Sequence, residues 1–203
     1  MRLNDTQFSE LLASTGDLKN GNSRCYYGCL LAEFTDKLYS MDIQLLHLNQ
    51  IDCNDIIALN THPLVLAHMP LGYDQFDEPF CHQWVKQKEQ HWHTHGFGVW
   101  ALVVDGRFIG WGGFQDENGD ADLALVLHPD YWGCGKKIVN KMLEQAVTHM
   151  SLPSITIHLP LSRKKLGAIY RYGFVEEGEV SFDGVIFKRF RLKLAELSKK
   201  KPC

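Results

Sequence analysis

The chain has 203 residues and a net charge of −3, with 45% apolar, 11% aromatic and 22% charged positions. That length fits one domain, that apolar content fills a core, and the charge balance excludes global disorder and argues against a dedicated nucleic-acid binder. The longest apolar runs, GVWALVV (98–104) and DLALVLHP (122–129), fall far short of the ~20 residues a membrane helix needs, so no span is expected.

Residues 1–40 read as an N-terminal extension: a short helical pattern around FSELLAS, then a Gly/Asn/Ser loop over 16–24. The first residues mix acids with apolar positions and show no secretory signal, so a cytoplasmic location is expected. From residue 41 a domain running to 203 begins with a strand, DIQLLHL. A helix follows, opened by Asp52 or Asn54 as N-cap, and a second helix covers 78–95. GVWALVV and RFIGWGGF are strands joined by an Asp105-Gly106 hairpin turn. After a loop QDENGD come a strand over 121–129, a turn YWGCG and an amphipathic helix over 136–150, with Ile138, Met142 and Ala146 or Val147 on one face. A buried strand (154–160), a short helix (162–173) and two strands within 174–194, turning at Asp183-Gly184, complete the chain. The order gives a mixed α/β (α+β) fold with antiparallel hairpins on both sides of one β-α-β crossover.

Six cysteines are scattered through a chain large enough to fold without staples, so reduced thiols are expected, and Cys25 and Cys29 do not make a zinc site. His91, His93 and His95, with Cys81 and His82, suggest a metal cluster at first sight. They lie at a helix end, where His complements the dipole, and no metal is expected. Trp84, Trp92, Trp100, Trp111, Tyr73 and Phe76 suit core packing better than a substrate groove. Charge is asymmetric: residues 1–161 hold 10 Lys+Arg against 19 Asp+Glu, whereas residues 162–203 hold 11 against 5. The basic end could face an anion or simply water.

The turn HPDYWGCGKK is the most informative stretch. Glycines before a helix leave backbone N–H groups bare at the positive end of the dipole, an arrangement that binds phosphate. Lys136 and Lys137 in the first helical turn oppose the dipole and make sense beside a polyanion. A P-loop is excluded, because position 130 is Asp where glycine is needed and 137 is Lys where Ser/Thr is required. A dinucleotide fingerprint fails at Ile138, where a third glycine would stand.

Taken together, THPLVLAHMPLG (61–72), GVWALVVDGRFIGWGGF (98–114), ADLALVLHPDYWGCG (121–135) and a late helix ending in YGF (172–174) resemble the GNAT superfamily of acyl-CoA-dependent N-acyltransferases, within it the RimJ/RimL-like branch of ribosomal-protein N-terminal acetyltransferases. The resemblance implies a mostly antiparallel twisted sheet whose central parallel strands splay apart, the strand before the turn carrying a bulge. It implies acetyl-CoA as cosubstrate, with Leu125, Val126, Leu127, Trp132, Gly133, Cys134, Gly135, Lys136, Lys137, Ser162 and Lys165 as the cofactor-binding set. Trp132, Gly135 and Lys137 fall on the three positions of the family's pyrophosphate loop, and only Gly135 matches strictly. The backbone N–H near Val126 would steady the oxyanion, Asp122 would be the general base through a bridging water, and Tyr170 the acid toward the thiolate, one residue out of register because Ile169 takes the family's tyrosine position. The expected acceptor is a primary amine, foremost a protein N-terminal α-amine, whose pKa of ~7.7–8.0 leaves more of it neutral than a lysine ammonium. A small-molecule amine and a noncatalytic acyl-CoA-binding module are the alternatives. His68 and Met69 lie where this branch shapes its acceptor pocket, and a homodimer is implied by resemblance alone.

Overall fold

The computed structural model describes residues 41–69, 75–164 and 166–196. The N-terminal extension, Tyr73, Lys165, Cys25, Cys29 and Cys203 lie outside them.

Seven strands form one sheet in the order β1-β2-β3-β4-β5-β7-β6: β1 Ile43–Leu46, β2 Val99–Val104, β3 Arg107–Glu117, β4 Asp120–Leu127, β5 Ser154–Pro160, β6 Val175–Phe182 and β7 Val185–Lys193. All neighbouring pairs are antiparallel except β4 and β5. The helices are α1 (Cys53–Asn60), α2 (Pro63–Leu66), α3 (Glu78–His95), α4 (Gly135–Thr148) and α5 (Gly167–Tyr172).

Local chemistry accounts for most boundaries. Asp52 caps α1 through the Asn54 amide at 2.8 Å, and Asp77 caps α3 through that of Phe80 at 3.0 Å. Gly96, in the left-handed region at φ 72°, closes α3. Both hairpin turns read from Asp-Gly pairs have positive φ at both residues, 50° and 73° at Asp105-Gly106, 48° and 79° at Asp183-Gly184. The stretch 115–120, expected as a loop, is instead mostly strand. Asn118 and Gly119, at φ 56° and 87°, supply a third two-residue turn, which lets β3 and β4 run to its edges. The late helix is shorter than expected, starting only at Gly167, and α2 was not anticipated; Pro63 at its first turn and His62 as its cap explain it.

Side chains alternate across the sheet and build two cores. On one face Leu123, Leu125, Leu127, Ile155, Ile157 and Leu159 pack under α4 and α5. Of the pair left open on α4, Ala146 is buried and Val147 is exposed. On the other face Ala124 and Val126 join Trp111 beneath α1 and α3, where Trp84 meets Trp111 edge-on at 5.4 Å. Trp84, Trp100 and Trp111 are therefore core residues. Asn60, buried among them, donates to the Ile56 carbonyl and accepts from the Trp111 indole.

The expectation of reduced thiols throughout is corrected. Cys53 at the start of α1 and Cys81 in α3 are joined as a disulfide, brought together because α1 and α3 pack on one face of the sheet.

At its start β4 is clamped to the outer strands. Asp120 holds Arg191 with both carboxylate oxygens, at 2.6 and 2.9 Å, and also Arg189, while Glu177 of β6 takes the Nε groups of both arginines. These guanidiniums, Arg191 first, hold the Asp120 carboxyl below its ordinary range. A carboxyl lowered on folding stabilises the native state above its unfolded pKa, and that contribution disappears as pH falls through the lowered value. Asp120→Asn should therefore lie about 1 kcal/mol below wild type in urea unfolding at neutral pH, a figure reduced for partial exposure, with the gap closing as pH falls below the ordinary carboxylate range.

Candidate active site

The site is organised by what β4 and β5 fail to do. These parallel neighbours share one register pair, Asp122 with Thr156, near their starts, and beyond it the strands diverge. The remainder of β4 pairs normally with β3, and β5 with β7, so a gap opens inside an otherwise continuous sheet. The splay implied by the resemblance is present. The bulge is not where it was expected: β4 pairs with β3 without interruption from Asp120 to Leu127, and the register shift falls between Leu102 and Val103 of β2, opposite the extra residue Ile109. An unbroken apolar run with no glycine gives β4 no residue that would favour a bulge.

That regularity corrects the role given to Val126. The His128 amide donates to the Ile109 carbonyl at 2.8 Å, and amides alternate sides along a regular strand, so Val126 also faces β3. Beyond the Asp122–Thr156 pair, the amides turned toward the gap are those of Leu125 and Leu127.

At the mouth of the gap Pro129–Cys134 make a 3-10 turn that runs into α4. The Trp132 indole donates to the Leu127 carbonyl at 3.0 Å, pinning the turn to the end of β4, and its ring meets His68 edge-on at 5.4 Å. Cys134 is N-cap to α4 without a side-chain hydrogen bond, and no acid stands in the first turn. The leading amides of a fourteen-residue helix are thus uncapped by side chains, beside exposed Gly133, where a Cβ would meet nothing within 4 Å. Gly135 and the Cys134 thiol are buried, and burial pushes that thiol up. Lys137 reaches the Met41 carbonyl, and Lys136 is exposed.

The remaining expected residues divide. Ser162 is exposed in the turn after β5, and buried Arg163 donates its amide to the Pro160 carbonyl at 3.0 Å. Met69 is buried. Tyr170 is not brought to the gap: its ring lies on Phe190 of β7 and its hydroxyl donates to Glu176 of β6, on the far side of β5 from β4. One residue of helix rotation accounts for this, since Ile169 points inward and is fully buried. Tyr172 is the tyrosine near the loop. Its hydroxyl donates to Asn140 Oδ1 at 2.9 Å and lies 3.4 Å from the Lys136 carbonyl, and burial pushes it up to about 12.

Where the strands part, Asp122 is 2% exposed. Its Oδ1 accepts from His158 Nδ1 at 2.6 Å and from the Thr156 hydroxyl at 3.2 Å. Thr156 and His158 were passed over as parts of an apolar strand. Two polar residues spaced by two in SITIHLP share one face, and that spacing was the available signal. On the same face Lys88 of α3 donates to Gln115, the cross-strand neighbour of Asp122, and sits 5.5 Å from the centroid of the Trp84 ring. Burial pulls the Lys88 ammonium down to about 8, with Glu117 opposing. Because the unfolded chain keeps that proton up to its ordinary 10.5, stability rises with pH across this window. The stability of wild type relative to Lys88→Met should increase by about 2 kcal/mol between roughly pH 8 and 10, read from urea midpoints.

Of the α3 histidines, His91 is structural. His91 bridges the Phe97 carbonyl and the Asp116 amide, each at 2.8 Å, and stacks on His95. Among the described residues no three His, Cys, Asp or Glu side chains gather as a metal site, and no helix is long and apolar enough to cross a membrane.

This architecture, a sheet with a splayed parallel pair beside a bare helix N-terminus, is that of the acetyltransferase (GNAT) domain, whose family model matches residues 42–169. The chain belongs to this family and is an acetyl-CoA-dependent N-acetyltransferase. Its fold is similar to a Vibrio cholerae spermidine N-acetyltransferase solved with CoA and spermine, at 19% identity and TM-score 0.59, covering 77% of this chain and 97% of that one. A chimera of that enzyme with hSSAT aligns at 17% identity and TM-score 0.60 (78% and 99% covered). A putative GNAT-family acetyltransferase from Bordetella pertussis aligns at 17% and 0.60 (73% and 94%). No curated protein matches the sequence.

Proposed function

We propose that the protein transfers the acetyl group of acetyl-CoA to a primary amine of a small polycation of the spermidine class. The observation that carries the acyl-donor half is the single β4–β5 pair beside the uncapped start of α4. In this reading the gap-facing amides of Leu125 and Leu127 pair with the pantetheine arm, an amide of this set steadies the developing oxyanion, and the amides around Gly133, Gly135 and Lys136 hold the diphosphate. Trp132 positions the loop, and Ser162, in the turn after β5, extends the phosphate-facing rim.

Two observations support the acceptor. The stretch 52–95, which carries α1 to α3, holds six Asp and Glu residues against two lysines, a balance suited to drawing in a polycation. The solved neighbours of the same fold include spermidine N-acetyltransferases. A protein N-terminal α-amine is the second reading, favoured by the motifs that resemble the RimJ/RimL branch and by the weaker basicity of such amines.

Thiol release from acetyl-CoA, measured with spermidine, spermine and peptides bearing a free N-terminus, tests the proposal. Saturable turnover on the polyamines with little on the peptides is expected. Turnover on the peptides alone would replace the polyamine reading with the second one.

A further inference from the structure

We propose that His158 takes the proton of the attacking amine and that Asp122 is the residue that orients it. The proposal rests on acetyl transfer to an amine and not on which amine is used. Asp122 is poorly placed to act alone because its Oδ1 already accepts two hydrogen bonds; its side chain and that of His158 are equally buried, so exposure does not separate them. In the proposed resting state the Asp122 carboxylate accepts from Nδ1–H across the 2.6 Å contact, and the lone pair lies on Nε2. Nε2 has no hydrogen bond among the described residues.

Position agrees with chemistry. His158 lies two residues beyond the one pair that joins β4 to β5, which places it on the β5 lip where the gap begins. Across the gap, on the same sheet face, β4 offers Ala124, a side chain small enough to leave room for a reacting group. Phe182 meets the imidazole edge-on at 5.2 Å and restrains its ring. Arg189, cross-strand from His158, is held by Asp120 and Glu177 and does not compete for Asp122. Carboxylate and imidazole thus stand on one sheet face at the start of the gap, the pairing of an orienter with a base.

The step balances within the two substrates. The amine nitrogen forms the C–N bond to the acetyl carbonyl, the C–S bond breaks, and the electron pair leaves on sulfur. The amine's proton goes to Nε2 and is then passed through water to the thiolate, returning the imidazole to its starting form.

The test compares wild type with His158→Gln and Asp122→Asn, reading kcat and KM with spermidine and with a free-N-terminus peptide, Kd for CoA by calorimetry, and the imidazole tautomer by nitrogen-15 NMR. His158→Gln should lose about 100-fold or more in kcat with CoA affinity within about twofold. Asp122→Asn should shift the His158 tautomer and lose about tenfold or more in kcat with KM and CoA affinity kept, a kcat-only loss that a merely structural role would not give. Full turnover by His158→Gln overturns the proposal, as does an Nε2–H tautomer in the folded wild type. If spermidine is inert and the peptide reacts, the acceptor reading fails and His158 is judged on the peptide. If neither reacts, or His158→Gln does not fold, the wild-type tautomer decides.

Discussion

Gly113→Ala is expected to remove about 3 kcal/mol or more of stability, enough to unfold most of a marginally stable domain. Gly113 lies in β3 at φ +152°, a backbone region open to glycine and closed to L side chains. A Cβ there would stand 2.2 Å from the Gly98 carbonyl oxygen and 2.7 Å from Val99 Cα, backbone atoms just before and at the start of β2, which cannot turn aside as a flexible side chain would. The same contact carries the Phe114 amide's hydrogen bond to Gly98 at 2.9 Å, so relieving the clash breaks a ladder bond. Urea unfolding, or soluble yield where the variant does not survive purification, checks this. Gly106→Ala is the natural comparison: it is also at positive φ, but its Cβ meets nothing within 4 Å, and it should cost only about 1 kcal/mol.

Gly133→Asp should have the opposite profile, leaving the fold intact while weakening CoA binding about tenfold or more, ~1.4 kcal/mol. Space is available at Gly133, and its φ is not in the left-handed region. A carboxylate just ahead of α4 would interact favourably with the helix's positive end by about 0.5 kcal/mol, so thermal stability should be unchanged or slightly higher. The same carboxylate would occupy the electrostatic position proposed for the diphosphate. Calorimetric titration with CoA alongside thermal unfolding separates the two effects. Unaltered CoA affinity in Gly133→Asp would remove the diphosphate from this turn.

The sequence disclosed those parts of the site that depend on local chemistry. Two glycines before an amphipathic helix announced the bare amides of α4, and Asp-Gly pairs announced two hairpins, because such residues act within a few positions of themselves. What escaped were features decided by neighbours distant in sequence. Val126 was assigned a role that strand parity denies it, since parity is set by the pairing of β4 with β3. Tyr170 faced the wrong way because one residue of helical phase decides between the gap and β7. His158 and Thr156 looked like ordinary members of an apolar strand until Asp122, more than thirty residues earlier, arrived opposite them. The Cys53–Cys81 bond likewise joins cysteines that only the packing of α1 on α3 makes neighbours.

The lone pair between β4 and β5 also bears on how the empty and loaded enzyme differ in robustness. The backbones of the two halves of the sheet are paired at one end only, by that pair with the Asp120 clamp beside it, and the opposite end is a seam bridged by core side chains under α4 and α5. In the proposed reading a pantetheine arm lying in the seam would complete the backbone bonding that the polypeptide leaves out, so that the enzyme's own substrate would finish its architecture. Cells rich in acetyl-CoA would hold this protein in its sturdier form, and starvation would expose the seam to proteases first.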